Sequence, residues 1–218
     1  MSMQMQIGRR NFLTAMSSAA GAALSFSARP LYALESAAVL NHFPLHKQET
    51  PYTCGPASLR MVLEFLGHKV PEHEIARAMG TTSLTGSSPF GMHLAANHYL
   101  KKFKTGLSAH DKIGPAATND VIFASILAKL PVIFTWLTEN AFKPGTEVGH
   151  YSVIIGFDQA RREFTIANPF GMIHPLDFDR FRRLAAWDPL PEDLPSVKVK
   201  RGILKMPADL LVFDKRRR

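Results

Sequence analysis

The pattern of apolar positions divides the chain into a helical half and a strand half. From Cys54 onward, Leu59, Met61, Val62, Leu63, Phe65 and Leu66 recur at helical spacing, and Gly67 supplies the stop. A second helix is predicted from Pro71 to Met79, with proline at its first position. Thr81 to Pro89 is rich in Gly, Ser and Thr and reads as loop. A third helix is predicted over Phe90–Phe103. A fourth covers Thr118–Lys129, with Asn119 or Asp120 as its cap. The period then changes. Pro131–Leu137 is a β-branched and aromatic run, and His150–Phe157 is an apolar strand. Gln159–Arg162 is a polar turn and Glu163–Ala167 a second short strand, which together predict a hairpin in an antiparallel sheet. Ile203–Met206 and Leu210–Phe213 are expected as edge strands, and residues 34–50 as extended or irregular chain. Helices first and strands second is the order of an α+β domain. No internal repeat is visible.

Composition narrows the class. In 218 residues, 46% are hydrophobic and 20% charged, which excludes disorder as the main state and fits a single domain of ordinary size. The one cysteine, Cys54, rules out an intrachain disulfide and a thiolate-rich zinc site. His73 and Glu74 lack the second histidine of a zinc-protease helix, and His93 and His98 are poorly spaced to share a metal. No phosphate loop, dinucleotide fingerprint or calcium loop is present, so no cofactor and no ATP are expected.

The formal charge of +8 is partly an N-terminal feature. Arg9 and Arg10 precede Asn11, Phe12 and Leu13, and a weakly apolar Ala/Gly/Ser run follows to about Ala28, with no acid before Glu35. A basic flank, a short apolar segment and a small-residue exit describe an export signal over residues 1–33 rather than a membrane span. The arginine pair resembles the twin-arginine class, which implies the twin-arginine export machinery as a partner and a periplasmic or secreted location. Cleavage is expected after Ala33, with Ala38 as the alternative. Loss of Arg9, Arg10 and Arg29 takes the 26 basic residues to 23 against 18 acids, a net +5 for residues 34–218. Part of that is the terminal run Lys215, Arg216, Arg217, Arg218, which reads as a solvated basic tail. With no helix-turn-helix, zinc finger or aromatic-basic motif, nucleic acid is not an expected partner.

An unpaired thiol in an oxidising compartment is a liability unless it is buried or used. Cys54 stands at the start of the first strong helix, in Gln48-Glu-Thr-Pro-Tyr-Thr-Cys54-Gly-Pro-Ala-Ser. Free amide N–H groups and the positive end of the helix dipole favour a thiolate there. Gly55 permits close approach of a substrate, and Pro56 suits a first helical turn. The Gln48 amide can reach back over the thiol and donate to an oxyanion, partnered by the Cys54 N–H. The competing reading of Cys54 alone is a small buried hydrophobe. Two distant segments tip the balance toward chemistry. His150 opens an apolar strand in Gly149-His150-Tyr-Ser-Val-Ile-Ile-Gly156, and Asn168 ends the next strand in Ile166-Ala-Asn168-Pro-Phe-Gly171. A hairpin turning at Gln159–Arg162 brings the start of its first strand to the end of its second, so Asn168 can orient the His150 imidazole. His174 and Asp158 are possible substitutes in that role. Asp158 reads as a turn residue, and Trp136 and Trp187 as core or rim packing.

These blocks resemble the bacteriocin-processing, double-glycine-leader peptidases, cysteine peptidase family thirty-nine of the papain-like clan. The resemblance runs from about Phe43 to Trp187 and rests on Gln48-x5-Cys54-Gly-Pro, Gly-His150-Tyr-Ser-Val-Ile-Ile-Gly and Asn168-Pro-Phe-Gly. It implies a papain-like α+β fold and a cysteine-type endopeptidase acting on a peptide or protein. Cys54 would be the nucleophile, His150 the general base, Asn168 the orienting residue and Gln48 the oxyanion donor. The third residue of the family is usually an aspartate; an amide stabilises imidazolium less than a carboxylate does. The transporter-linked members carry membrane and ATPase domains, and neither pattern occurs in this sequence, so an exported single-domain relative is implied. Two other readings use the same fold: a catalytically silent peptide-binding module and an acyltransferase. The joint presence of Gln48, Cys54, His150 and Asn168 argues against the silent one.

Overall fold

The elements follow one another as a short strand, three helices, a second strand, a fourth helix and then mostly strands, in a computed structural model that describes residues 35–113, 117–139, 147–185 and 209–216. All of these lie in the unit Leu31–Arg218. The export signal, Trp187, Ile203–Met206 and the last two arginines fall outside the described residues.

Strand β1 (Ala37–Val39) precedes helix α1 (Cys54–Phe65), α2 (Glu72–Met79) and α3 (Pro89–Lys102). Then come β2 (Leu107–Ile113), α4 (Asn119–Leu127), β3 (Val132–Glu139), β4 (Glu147–Asp158), β5 (Glu163–Asn168), β6 (Met172–Asp177), α5 (Phe178–Leu184) and β7 (Asp209–Lys215). The strands form one antiparallel sheet in the order β2-β7-β3-β4-β5-β6, with β1 also paired to β4.

Local chemistry accounts for the helix ends. Thr50 and Thr53 close a turn in which the Thr50 N–H donates to Thr53 Oγ1 at 3.0 Å, and α1 starts at the next residue. Pro56 sits in the first turn, where no N–H is required. Gly67 adopts φ +89° just past the end, and the His68 N–H returns to the Leu63 carbonyl, so orphan carbonyls are satisfied. Ser88 caps α3 by accepting the Gly91 N–H, and Thr118, not Asn119 or Asp120, caps α4. Pro71 is the cap of α2 rather than its first residue.

Burial binds these helices to the sheet. Leu59, Met61, Val62 and Leu63 of α1 are wholly buried, and α1 packs on β4. Each such side chain contributes about 1.5–3 kcal/mol. Phe164 gathers Phe123 of α4 with Phe178 and Phe181 of α5 into a second aromatic core beside β5.

The strand half differs from expectation: β2 and β6 are strands the pattern did not announce, and the last strand is not at an edge. Leu210–Phe213 belongs to β7, which lies between β2 and β3 and is not an edge. Its residues 209–213 are all buried, as an inner strand with two neighbours requires. The basic run begins inside this strand, since Lys215 pairs with Leu107.

Candidate active site

The segment before α1 is tied directly to the hairpin that carries Asn168. Lys47 bridges to Phe170, and the Gln48 N–H donates to the Pro169 carbonyl at 2.7 Å. The Gln48 side chain donates from Nε2 to the Thr50 carbonyl at 2.6 Å, while its Oε1 has no partner. The amide therefore lies against the turn that ends at Cys54. That turn is braced from α2 by Glu72, a buried carboxylate missed in the sequence. Glu72 Oε1 accepts the Glu49 N–H at 2.9 Å, and its other oxygen lies 3.9 Å from Arg60.

Cys54 is buried at the start of α1. The backbone groups of Tyr151, the residue after His150, and of Gly55 and Cys54 itself act on its thiol in the direction of the thiolate. Those dipoles favour thiolate, but burial outweighs them and pushes the thiol pKa up, with the Glu72 charge adding to the rise. The expected dipole effect is present and is overridden by desolvation. Gly55 is required for packing here: a Cβ would lie 2.7 Å from Ser87 Oγ and 3.3 Å from Met79 Sδ.

His150 and Asn168 meet as the hairpin arithmetic implies. His150 Nε2 lies 3.0 Å from Asn168 Oδ1. The Phe170 ring stacks on the imidazole at 4.4 Å between centroids and 22° between planes, closing one side of that bond. Trp136, on the neighbouring strand, lies 6.0 Å from His150 and donates its indole N–H to Ser152. Burial drives the His150 pKa down to about 4, against the opposing effect of the Asn168 bond, and the nearby His174 lowers it further. The imidazole is thus neutral across the physiological range, with Nε2 committed to Asn168 and Nδ1 left as its second nitrogen.

Other candidates sort themselves plainly. His73 and Glu74 are exposed on α2. His93 lies 2.7 Å from Asp111, and His98 is edge-on to Tyr99. Asp158 accepts the Arg161 N–H in the hairpin turn. His174 Nε2 lies 3.4 Å from the side-chain nitrogen of Asn168. Among the described residues no group of three or more His, Cys, Asp or Glu is arranged to hold a metal, and no helix is long and apolar enough to cross a membrane.

An α+β domain with a cysteine at a helix start, a histidine on the facing sheet and an amide behind it has the build of a papain-like peptidase. The family profile described as Peptidase C39 like family matches residues 40–190, and the chain belongs to that family. A putative C39-like peptidase from Bacillus anthracis is similar in structure at a TM-score of 0.53 and 16% identity, covering 84% of this chain and 100% of that one. The peptidase domain of Streptococcus ComA, described as a bi-functional ABC transporter involved in quorum sensing, matches at 0.51 and 18%, covering 78% and 98%. No curated protein matches the sequence.

Proposed function

We propose that the chain is an exported cysteine peptidase that cleaves peptide bonds through Cys54, His150, Asn168 and Gln48. The observation that carries this reading is the convergence of the four residues from three separate segments. Asn168 bonds to His150, Gln48 is tied to Pro169, and the backbone of Tyr151, next to His150, acts on the Cys54 thiol.

Burial holds the resting pair as neutral thiol and neutral imidazole, so His150 enters the reaction able to take a proton. His150 Nδ1 accepts the Cys54 proton as the sulfur attacks the scissile carbonyl. The oxygen that becomes negative is held by the Cys54 N–H and by Gln48 Nε2, whose second N–H is not used by Thr50. The tetrahedral adduct collapses to a thioester, and the leaving amine takes the proton from His150. Water, deprotonated by the same nitrogen, then releases the acid and restores the thiol. Export to the periplasm or beyond rests on Arg9, Arg10 and the apolar run behind them.

The neutral pair also favours one rival, a silent peptide-binding module, because a protonated thiol is a weak nucleophile. A single experiment separates the two. A complex peptide mixture is incubated with the mature chain and with Cys54→Ala, and new N-termini are identified by mass spectrometry. Peptidase activity gives cleavages that vanish in the alanine variant. A silent module gives identical maps from both proteins. Products extended by an added amine instead of hydrolysed assign the site to acyl transfer.

A further inference from the structure

The Asn168 amide is held at both ends, and its second partner is a histidine. Its Oδ1 lies 3.0 Å from the Phe170 N–H, which can only donate, so this atom is oxygen. The amide nitrogen therefore faces His174 Nε2, at 3.4 Å. An amide nitrogen only donates, so His174 Nε2 must be unprotonated. The other side of the ring agrees: His174 Nδ1 lies 3.0 Å from the Pro175 carbonyl, a pure acceptor, and carries the proton. On the other side Oδ1 of Asn168 can only accept, so His150 Nε2 donates and His150 Nδ1 keeps its lone pair. Protons along Pro175–His174–Asn168–His150 are fixed by one self-consistent pattern.

We propose that His174 is a positioning residue of this site: its imidazole lone pair locks and polarises the Asn168 amide. The inference rests on the peptidase reading for its functional meaning. The physical need is visible in the residue it supports. Asn168 has no charge with which to stabilise the His150 imidazolium formed during attack. A lone pair accepting from its amide nitrogen pushes electron density toward Oδ1 and strengthens the bond to His150. A side chain offering an N–H there would oppose the Asn168 N–H and loosen the amide.

The groups facing His174 allow it this role. Its ring meets Asn168 from β5, lies 6.2 Å from Trp136 of β3, and acts electrostatically on His150 of β4. The charged residues sharing the shallow groove beside β6 are Asp158, Arg161 and Glu163. Arg161 and Glu163 pair with each other at 3.1 Å, and Asp158 accepts the Arg161 N–H. Among the described residues no carboxylate forms an ion pair with His174.

The test compares His174→Gln, His174→Ala and His174→Lys with the parent, using iodoacetamide modification of Cys54 at pH 8. Glutamine keeps an acceptor, and its rate should lie within about threefold of the parent. Alanine should lose about fivefold at pH 8, the scale of one neutral hydrogen bond, and lysine more. Ring nitrogen-15 shifts should report His150 as the Nε2–H form in the parent and glutamine proteins and a tautomer mixture in the alanine protein. Equal rates and equal tautomers in all four proteins would overturn the role of His174. Failure of the peptidase reading looks different: the parent thiol would then react no faster than that of a His150→Ala variant. In that event the His150 tautomer still decides whether His174 locks the amide.

Discussion

Replacing His150 by glutamine removes a buried titrating group, and the consequence for acid stability can be worked out. The imidazole titrates near 6.5 in an unfolded chain and is driven down to about 4 in the folded protein, chiefly by burial. As pH falls below 6.5 the unfolded chain takes a proton that the folded one refuses. Folded-state stability is therefore lost, from 6.5 down through the folded value near 4. At 1.36 kcal/mol per pH unit the full loss is about 3 kcal/mol, with about 2.5 kcal/mol of it reached by pH 4.5. The Asp209 carboxyl works in the opposite direction. Burial and the Asp111 charge raise it to about 6, so its contribution is present at low pH and lost as pH rises through 6. That contribution is common to both proteins and cancels in their difference. Urea unfolding, followed through the buried Trp136, is measured at pH 7.5 and 4.5 for the parent and for His150→Gln. The parent should lose about 2.5 kcal/mol more than the variant over that interval, which is about 1 M in midpoint for a slope near 2 kcal/mol per M. Parallel losses, equal within about 0.5 kcal/mol, would refute the claim that His150 is held neutral by burial.

Other expectations follow from the same coordinates. Gly91→Ala places a Cβ 2.1 Å from the Met79 carbonyl oxygen, so unfolding should become easier by about 3 kcal/mol, read from the denaturation midpoint. Asp209→Asn should stabilise the fold at pH 7.5 by about 1–2 kcal/mol and should have little effect at pH 4. Gln48→Ala should slow turnover by about a hundredfold with a smaller change in KM, since the amide acts on charge that develops after binding. Phe170→Ala opens the His150–Asn168 bond to water and should lower kcat by about tenfold while thermal unfolding moves by only a few degrees.

Much of the site was legible because its determinants are local. Cys54 beginning a helix follows from the periodicity behind it, and the His150–Asn168 meeting follows from a short hairpin whose turn is written in Gln159–Arg162. What the sequence withheld depends on distant partners. β2 reads Leu-Ser-Ala-His-Asp-Lys-Ile, too polar to announce a strand, and is fixed by pairing with β7 about a hundred residues later. β7 itself shows an apolar run, but nothing in that run distinguishes an inner position from an edge. Glu72 and Glu74 look alike in sequence, yet one is buried against the Glu49 N–H and the other is in solvent. The thiol illustrates the same limit in energetic form. A helix start lowers its pKa and burial raises it, and only the folded environment shows that burial prevails.

The central claim is that the Cys54 sulfur is a nucleophile made competent by His150. A peptidyl fluoromethyl ketone tests it, because adduct formation requires both attack by sulfur and proton transfer through the imidazole. Intact-mass kinetics at pH 7 should show one adduct, mapped to Cys54, forming at least about a hundredfold faster in the parent than in His150→Ala. Equal rates in the two proteins, or an adduct at any residue other than Cys54, would contradict the account.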